Sequence, residues 1–272
     1  MAQTTYKELL DAGSHFGHLT RKWDPKMAPY IFMEKNGIHI IDLNKTLVSL
    51  EYAANAIRNI AKSGRKIMFV ATKKQAQEVV TEEAKRLRMP YVTDRWLGGM
   101  LTNFATIRKS LRKLSSIDKM MKEEEYKNLA KRERLMMSRE KEKLEKVLGG
   151  IADLTRLPSA LFVVDIKREH IAVKEAAKLN IPVIGMVDTN SDPTSIQFPI
   201  PANDDAFKSI SLIVKHIGQA VEEGLIERKQ QKEEAKLKEE EESKKQADER
   251  EELEKAKPEA SSTETKESAS EA

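Results

Sequence analysis

The chain has 272 residues, 39% of them hydrophobic and 34% charged, and no cysteine, so disulfides, thiolate catalysis and cysteine-ligated zinc are excluded. No apolar run approaches the about 20 residues that span a bilayer, and the N-terminus lacks a basic-then-apolar signal pattern, so a soluble cytoplasmic protein with no membrane partner is expected. The net charge of +4 hides an asymmetry: from Lys229 onward the net is −5, leaving +9 on residues 1–228, a basic body suited to a polyanionic partner.

In chain order, residues 6–12 read as a short helix stopped by Gly13, and 14–29 as a polar loop containing aromatic residues. Residues 30–33 and 38–43 are strand-like, and the Asn36-Gly37 pair between them is a hairpin turn signal. Asn44 is positioned to cap an amphipathic helix with Leu47, Leu50, Ala54 and Ile57 on one face, ended by Gly64. Ile67-Met68-Phe69-Val70 is a continuous apolar run, the mark of a strand covered on both faces. A helix over 75–87 and a brief strand at Tyr91-Val92 follow.

Between 104 and 148 there is no proline or glycine. Phe104, Ile107, Leu111, Leu114, Ile117 and Met121 step by three and four, as in a coiled-coil seam. Leu129, Met136, Leu144, Val147 and Ile151 give a looser return stripe, with a bend expected over 122–128. Gly98-Gly99 and Gly149-Gly150 bracket this predicted antiparallel hairpin. Alternation then resumes: strand 160–164, helix 171–179, strand 183–187, and a helix from Asp205 to about Glu223. The pattern predicts an α/β fold, a doubly wound, mostly parallel sheet with an inserted helical hairpin. Residues 1–101 plus 152–228 would form the α/β domain and 102–151 the hairpin. Residues 229–272 would be a charged tail, helical and laced with ion pairs to about 255 and disordered at its end.

A doubly wound sheet invites an enzyme reading, but the loop after the first buried strand, Val70-Ala71-Thr72-Lys73-Lys74-Gln75-Ala76, has no glycine cradle for phosphates. Zinc-protease and nucleophile-elbow motifs are absent too. Lys73 and Lys74, at a strand end before a helix N-terminus, suit a backbone-phosphate contact or a solvated loop. His39 and His216 fit structural positions.

Two loop segments combine basic, aromatic and glycine residues. One is His15-Phe16-Gly17-His18-Leu19-Thr20-Arg21-Lys22-Trp23-Asp24-Pro25-Lys26-Met27; the other is Asp94-Arg95-Trp96-Leu97-Gly98-Gly99-Met100-Leu101-Thr102-Asn103. Cations there can pair with phosphates and aromatics can stack on bases, although Trp23 and Trp96 also suit a core. These segments resemble the signature stretches of the ribosomal protein S-two family. The resemblance continues through Asn44-Lys45-Thr46, Leu148-Gly149-Gly150-Ile151, Pro158-Ser159-Ala160-Leu161, Val187-Asp188-Thr189-Asn190-Ser191-Asp192-Pro193 and Ile200-Pro201-Ala202-Asn203-Asp204-Asp205-Ala206. It implies a doubly wound domain with a protruding coiled-coil hairpin and a structural rather than enzymatic role in translation. It further implies binding to small-subunit ribosomal RNA between head and body, next to other small-subunit proteins. In many bacteria the family also supplies a docking surface for the S-one protein.

On this reading Arg21, Lys22, Trp23, Lys26, Lys73, Lys74, Arg95, Trp96 and Asn103 contact RNA, as do Arg108, Lys109, Arg112 and Lys113 on the first hairpin helix. No cofactor is required. If the N-terminal loop folds across the sheet edge, His18 joins Asp188, Asp204 and Asp205 in a site for a zinc or magnesium ion. The alternative makes Asp204 or Asp205 a helix cap and Asp188 a turn former.

Overall fold

A computed structural model describes residues 4–123, 126 and 129–255, with side chains through 234. Helix α1 (Tyr6–Asp11) opens with a capping box: the Glu8 amide donates to Thr5 Oγ1, and the Thr5 amide donates to Glu8 Oε2. Strands β1 (Phe16–Leu19), β2 (Ile31–Lys35) and β3 (Ile38–Ile41) form a small antiparallel sheet in the order β1-β3-β2. Asn36 and Gly37 have φ of 54° and 73°, the left-handed pair that a tight hairpin needs. Strand β1 lies inside the segment read as loop. It is a four-residue edge strand with no fully buried side chain, so it has no apolar alternation to detect.

Helix α2 (Leu43–Lys62) is capped two residues earlier than predicted, by Asp42, whose side chain accepts from the Asn44 amide. The main sheet is wholly parallel. It comprises β4 (Ile67–Val70), β5 (Tyr91–Val92), β6 (Ala160–Val164), β7 (Val183–Val187) and β8 (Phe198–Pro201), in the order β5-β4-β6-β7-β8. The remaining helices are α3 (Lys74–Arg86), α4 (Phe104–Met120), α5 (Lys131–Leu148), α6 (His170–Lys178) and α7 (Phe207–Lys255). Every residue of β4, β6 and β7 is buried, because helices cover both faces. One face packs Phe69 and Phe162 (ring centroids 5.6 Å apart) against α2, α3 and α7. The other packs Met68, Leu161 and Val163 against α6, Trp96, Met27 and the base of α4 and α5.

Two features depart from the sequence reading. Strand β8 carries Pro199 and Pro201, which argue against a strand, yet it is an edge strand with a single neighbour and needs few amide donors. Helix α7 does not stop near 223. Gly224 lies inside it, where a Cβ would sit 2.5 Å from the Arg58 carbonyl oxygen and 2.9 Å from Ala61 Cβ. That glycine therefore permits close packing of α7 on α2 rather than ending the helix. The chain divides into a body ending at Leu225 and a second unit beginning at Ile226. The disorder predicted for the end of the tail concerns 256–272, which lie outside the described residues.

Helices α4 and α5 occupy the predicted hairpin segment and pack together. Ile107, Leu114 and Ile117 are buried on α4. Lys141 pairs with Asp118 at 2.7 Å and Lys113 pairs with Glu140, tying one helix to the other.

Candidate cation site and nucleic-acid interface

The strand order places β4 and β6 side by side with connections leaving in opposite directions, and the crevice beyond their C-terminal ends is where doubly wound sheets usually bind ligands. In this molecule the chain's own charges occupy that crevice. Lys73, only 8% exposed, extends its ammonium to Asp204 Oδ1 (2.7 Å), Asp205 Oδ1 (2.5 Å) and Asp165 Oδ2 (3.5 Å). Burial pulls the Lys73 pKa down, but the Asp204 charge, the hydrogen bonds to Asp204 and Asp205, and Asp165 outweigh it, and the net shift is upward. Beside it, Glu169 accepts hydrogen bonds from the Thr72 amide (3.0 Å) and hydroxyl, and Arg168 Nε donates to Thr72 Oγ1 (2.9 Å). Burial drives the Glu169 carboxyl upward against those hydrogen bonds. A cleft of about 390 Å³ remains, lined by Thr72, Arg95, Arg168 and Glu169 among others.

The N-terminal segment closes over the same edge. Gly17 makes this approach feasible, since a Cβ there would lie 2.5 Å from Thr189 Cγ2. The His18 amide donates to Thr189 Oγ1 (2.8 Å), and the Asp24 amide donates to the Thr189 carbonyl (2.8 Å). His18 Nδ1 then stands 3.0 Å from Asp188 Oδ2, and Nε2 stands 3.4 Å from Asp205 Oδ2. One ligand atom from each of His18, Asp188, Asp204 and Asp205 lies within 4.8 Å of the others. Hydrogen bonding to Asp188 raises the His18 pKa, against partial burial. Asp204 is fully buried, its Oδ2 has no hydrogen-bond partner, and burial next to Asp188 and Asp165 pushes its carboxyl up to about 7. One imidazole nitrogen and three carboxylates are a donor set that suits a divalent cation. Neither Asp204 nor Asp205 caps α7; Asn203 Oδ1 accepts from the Asp205 and Ala206 amides instead.

The predicted RNA-contacting residues fall into two groups. Arg21, Lys22, Lys74, Arg95, Asn103, Arg108, Lys109 and Arg112 are exposed. Among the described residues, Arg108, Lys109 and Arg112 form no ion pair on α4. Trp23 is 38% exposed and lies tilted at 45° against His39 with ring centroids 5.0 Å apart. Others are engaged within the protein. Lys26 is exposed but pairs with Asp192 at 2.6 Å, and Lys113 pairs with Glu140. Lys73 is held by three aspartates, which corrects the expectation of a phosphate contact there: its donors already point inward. Trp96 is buried, so it is a core residue rather than a stacking platform. Its indole N–H donates to Glu175 Oε1 (3.1 Å).

Glu175 is the residue whose importance the sequence concealed. Its carboxylate accepts from Trp96 and from the backbone amides of Gly99 (2.7 Å), Leu101 (2.9 Å) and Thr102 (3.1 Å). Burial would raise its pKa, but these donors hold it below the ordinary value. Its only local signal was an acid on the apolar side of a helix, between Ala172, Val173 and Ala176. The network fixes the loop that carries Arg95 and Asn103.

The family model described as Ribosomal protein S2 matches residues 9–224. The chain belongs to that family. It is 73% identical over 233 residues to the small ribosomal subunit protein uS2 of Cytophaga hutchinsonii, covering 86% of this chain and 92% of the relative. It is 63% identical over 227 residues to that of Flavobacterium johnsoniae, covering 84% and 89%. The protein of the same name from Bacteroides thetaiotaomicron is 61% identical over 232 residues, covering 85% and 84%. A member of this ribosomal family is a structural protein and not an enzyme. The matched span ends at 224, next to the last residue of the body. No helix among the described residues is long and apolar enough to cross a membrane.

Proposed function

We propose that the chain is a structural constituent of the small ribosomal subunit in the cytoplasm and binds small-subunit ribosomal RNA between head and body. Neighbouring ribosomal proteins, among them the S-one protein, are its other partners. The observation that carries the RNA contact is the row of cations Arg108, Lys109 and Arg112 on α4, which have no ion pair among the described residues, since cations without internal carboxylates are those left to neutralise phosphates. Lys22 and Arg21 beside Trp23, with Lys74, Arg95 and Asn103, extend this surface. On this reading residues 102–151 form a coiled-coil insert in the body (1–101 plus 152–228), and 229–272 a separate charged tail.

The test is sedimentation of a lysate at moderate and high salt, following this protein by immunoblot. Comigration with small subunits that is lost as salt rises is the expected result. Residence at the top of the gradient under both conditions would overturn stable ribosome membership.

His18, Asp188, Asp204 and Asp205 form, on the same proposal, a site for a zinc or magnesium ion that fastens the N-terminal loop to the sheet. Bound metal would share Asp204 and Asp205 with Lys73. Elemental analysis of the purified protein is expected to give near one equivalent, falling in His18→Ala; no metal in the wild-type protein would dispose of the site.

A further inference from the structure

At the opposite end of the parallel sheet, before the first residues of β4, β5 and β6, lies a cleft of about 670 Å³. We infer that this cleft takes one unpaired nucleotide of an RNA chain, its base against an apolar floor and its phosphates on a cationic rim. The inference rests on the RNA-binding reading above and assigns that reading a second site, far in sequence from the α4 surface.

The rim is formed by Arg65, Lys85, Arg88 and Arg156, with Asp153 the acid among the lining residues. All four cations are exposed, and the side-chain nitrogens of the four have no ion pair or hydrogen bond among the described residues. The contrast with their neighbour Arg86 is sharp: it is held by Glu83 at 2.6 Å and Glu222 at 2.7 Å. Four cations converging on one concavity repel one another, an arrangement that a polyanion relieves. Lys66 adds a fifth charge, with its ammonium donating to the Arg88 carbonyl at 2.7 Å.

Arg88 supplies a second, independent observation. It follows the C-cap of α3 with φ of 53°, in the left-handed region where glycine or asparagine is the low-energy choice. An arginine there keeps a guanidinium at the mouth of the cleft at a conformational cost, which glycine would avoid.

The floor explains why a nucleotide fits better than a bare phosphate. Met89 and Leu154, both buried, and the half-buried Tyr91 line the cleft together with the exposed cations, giving it an aromatic ring and apolar side chains. Single-stranded RNA is recognised in this manner, with splayed bases packed on aromatic and apolar surfaces and backbone phosphates on Arg and Lys. The volume exceeds that of one base and its ribose phosphate and is well short of a duplex.

The test uses the full chain, a fluorescein-labelled single-stranded heptaribonucleotide, and AMP. Two variants are compared with the wild type: Arg88→Gly with Arg156→Gln in the cleft, and Arg108→Gln with Lys109→Gln and Arg112→Gln on α4. Arg88→Gly retains the backbone turn, so thermal stability is expected to be unchanged or higher. The cleft variant is expected to bind the oligonucleotide about fivefold or more weakly. The ¹³C-methyl resonance of Met89 should shift on titration in the wild type and the α4 variant, but not in the cleft variant. If the cleft variant binds normally and Met89 is silent while the α4 variant loses affinity, the cleft assignment is overturned and the RNA-binding reading stands. If neither variant weakens binding, both are overturned. If AMP binds as tightly as the oligonucleotide with the same Met89 shift, the cleft serves a free nucleotide and the RNA-chain assignment is overturned.

Discussion

The two ends of the parallel sheet carry similar cations and place them in opposite circumstances. At the C-terminal end, Lys73 is enclosed by Asp165, Asp204 and Asp205, and Arg168 leans on Thr72 beside Glu169. At the N-terminal end, Arg65, Lys85, Arg88 and Arg156 face a cleft with no carboxylate among the described residues bound to any of them. A positive residue count therefore says little about binding capacity; what matters is which charges are neutralised internally. The first end behaves as part of the folding machinery, the second as an open electrostatic surface.

The largest test of that contrast is Lys73→Met. Removing the cation leaves buried Asp204 and its neighbours uncompensated, and the expected loss is about 3–5 kcal/mol, read by urea unfolding. A loss below about 1 kcal/mol would show that the network is not structural. Glu175→Gln comes next. It replaces an acceptor-only carboxylate by an amide that cannot serve all its donors, and about 2–3 kcal/mol is expected to go, with a change in Trp96 fluorescence.

The same group sets a pH dependence. The folded-state pKa of Glu175 is lowered, so its stabilisation is fully present above the ordinary carboxylate value near 4.5 and is lost as pH falls through the lower folded value. Unfolding midpoints measured from pH 6 to 3 should decline in the wild type more than in Glu175→Gln. Equal slopes would remove Glu175 from the acid response.

The smallest stability effects belong to the exposed cations, where function should move instead. Arg112→Gln is expected to change stability by under about 0.5 kcal/mol while lowering the salt slope of RNA binding by about one. Lys113→Gln, whose ammonium already pairs with Glu140, should lower that slope less. An equal drop for the two would blur the distinction between engaged and free charge.

Much of the architecture was legible because its signals are local. The fully apolar runs at 67–70, 160–164 and 183–187 appear as strands at those positions; on α4 Ile107, Leu114 and Ile117 of the first stripe are buried, whereas Met136 of the return stripe is 63% exposed. Strand β1 and the proline-bearing β8 were not legible, since an edge strand is defined by its neighbour and not by its own periodicity. The side-chain chemistry divides in the same way. His18, Asp188, Asp204 and Asp205 belong to elements that meet at one sheet edge, and their ligand atoms converge there. The inward turn of Lys73, the role of Glu175 and the basic cleft were hidden, because each is assembled from segments up to about 130 residues apart whose individual sequences are unexceptional.

The Thr189–Gly17 contact also bears on how the chain is made. Several other bonds span the same distance: Ser14 Oγ donates to Ser209 Oγ at 2.9 Å, Asn203 Nδ2 to the Gly13 carbonyl at 3.1 Å, and Thr46 Oγ1 to the Pro201 carbonyl at 2.6 Å. The earliest-synthesised segment is thus docked by residues that emerge some 150 to 200 positions later. Vectorial synthesis cannot complete this body piecewise. α1 and the small antiparallel sheet cannot complete these bonds until β7, β8 and the start of α7 have left the exit tunnel, which makes closure a late, high-contact-order event.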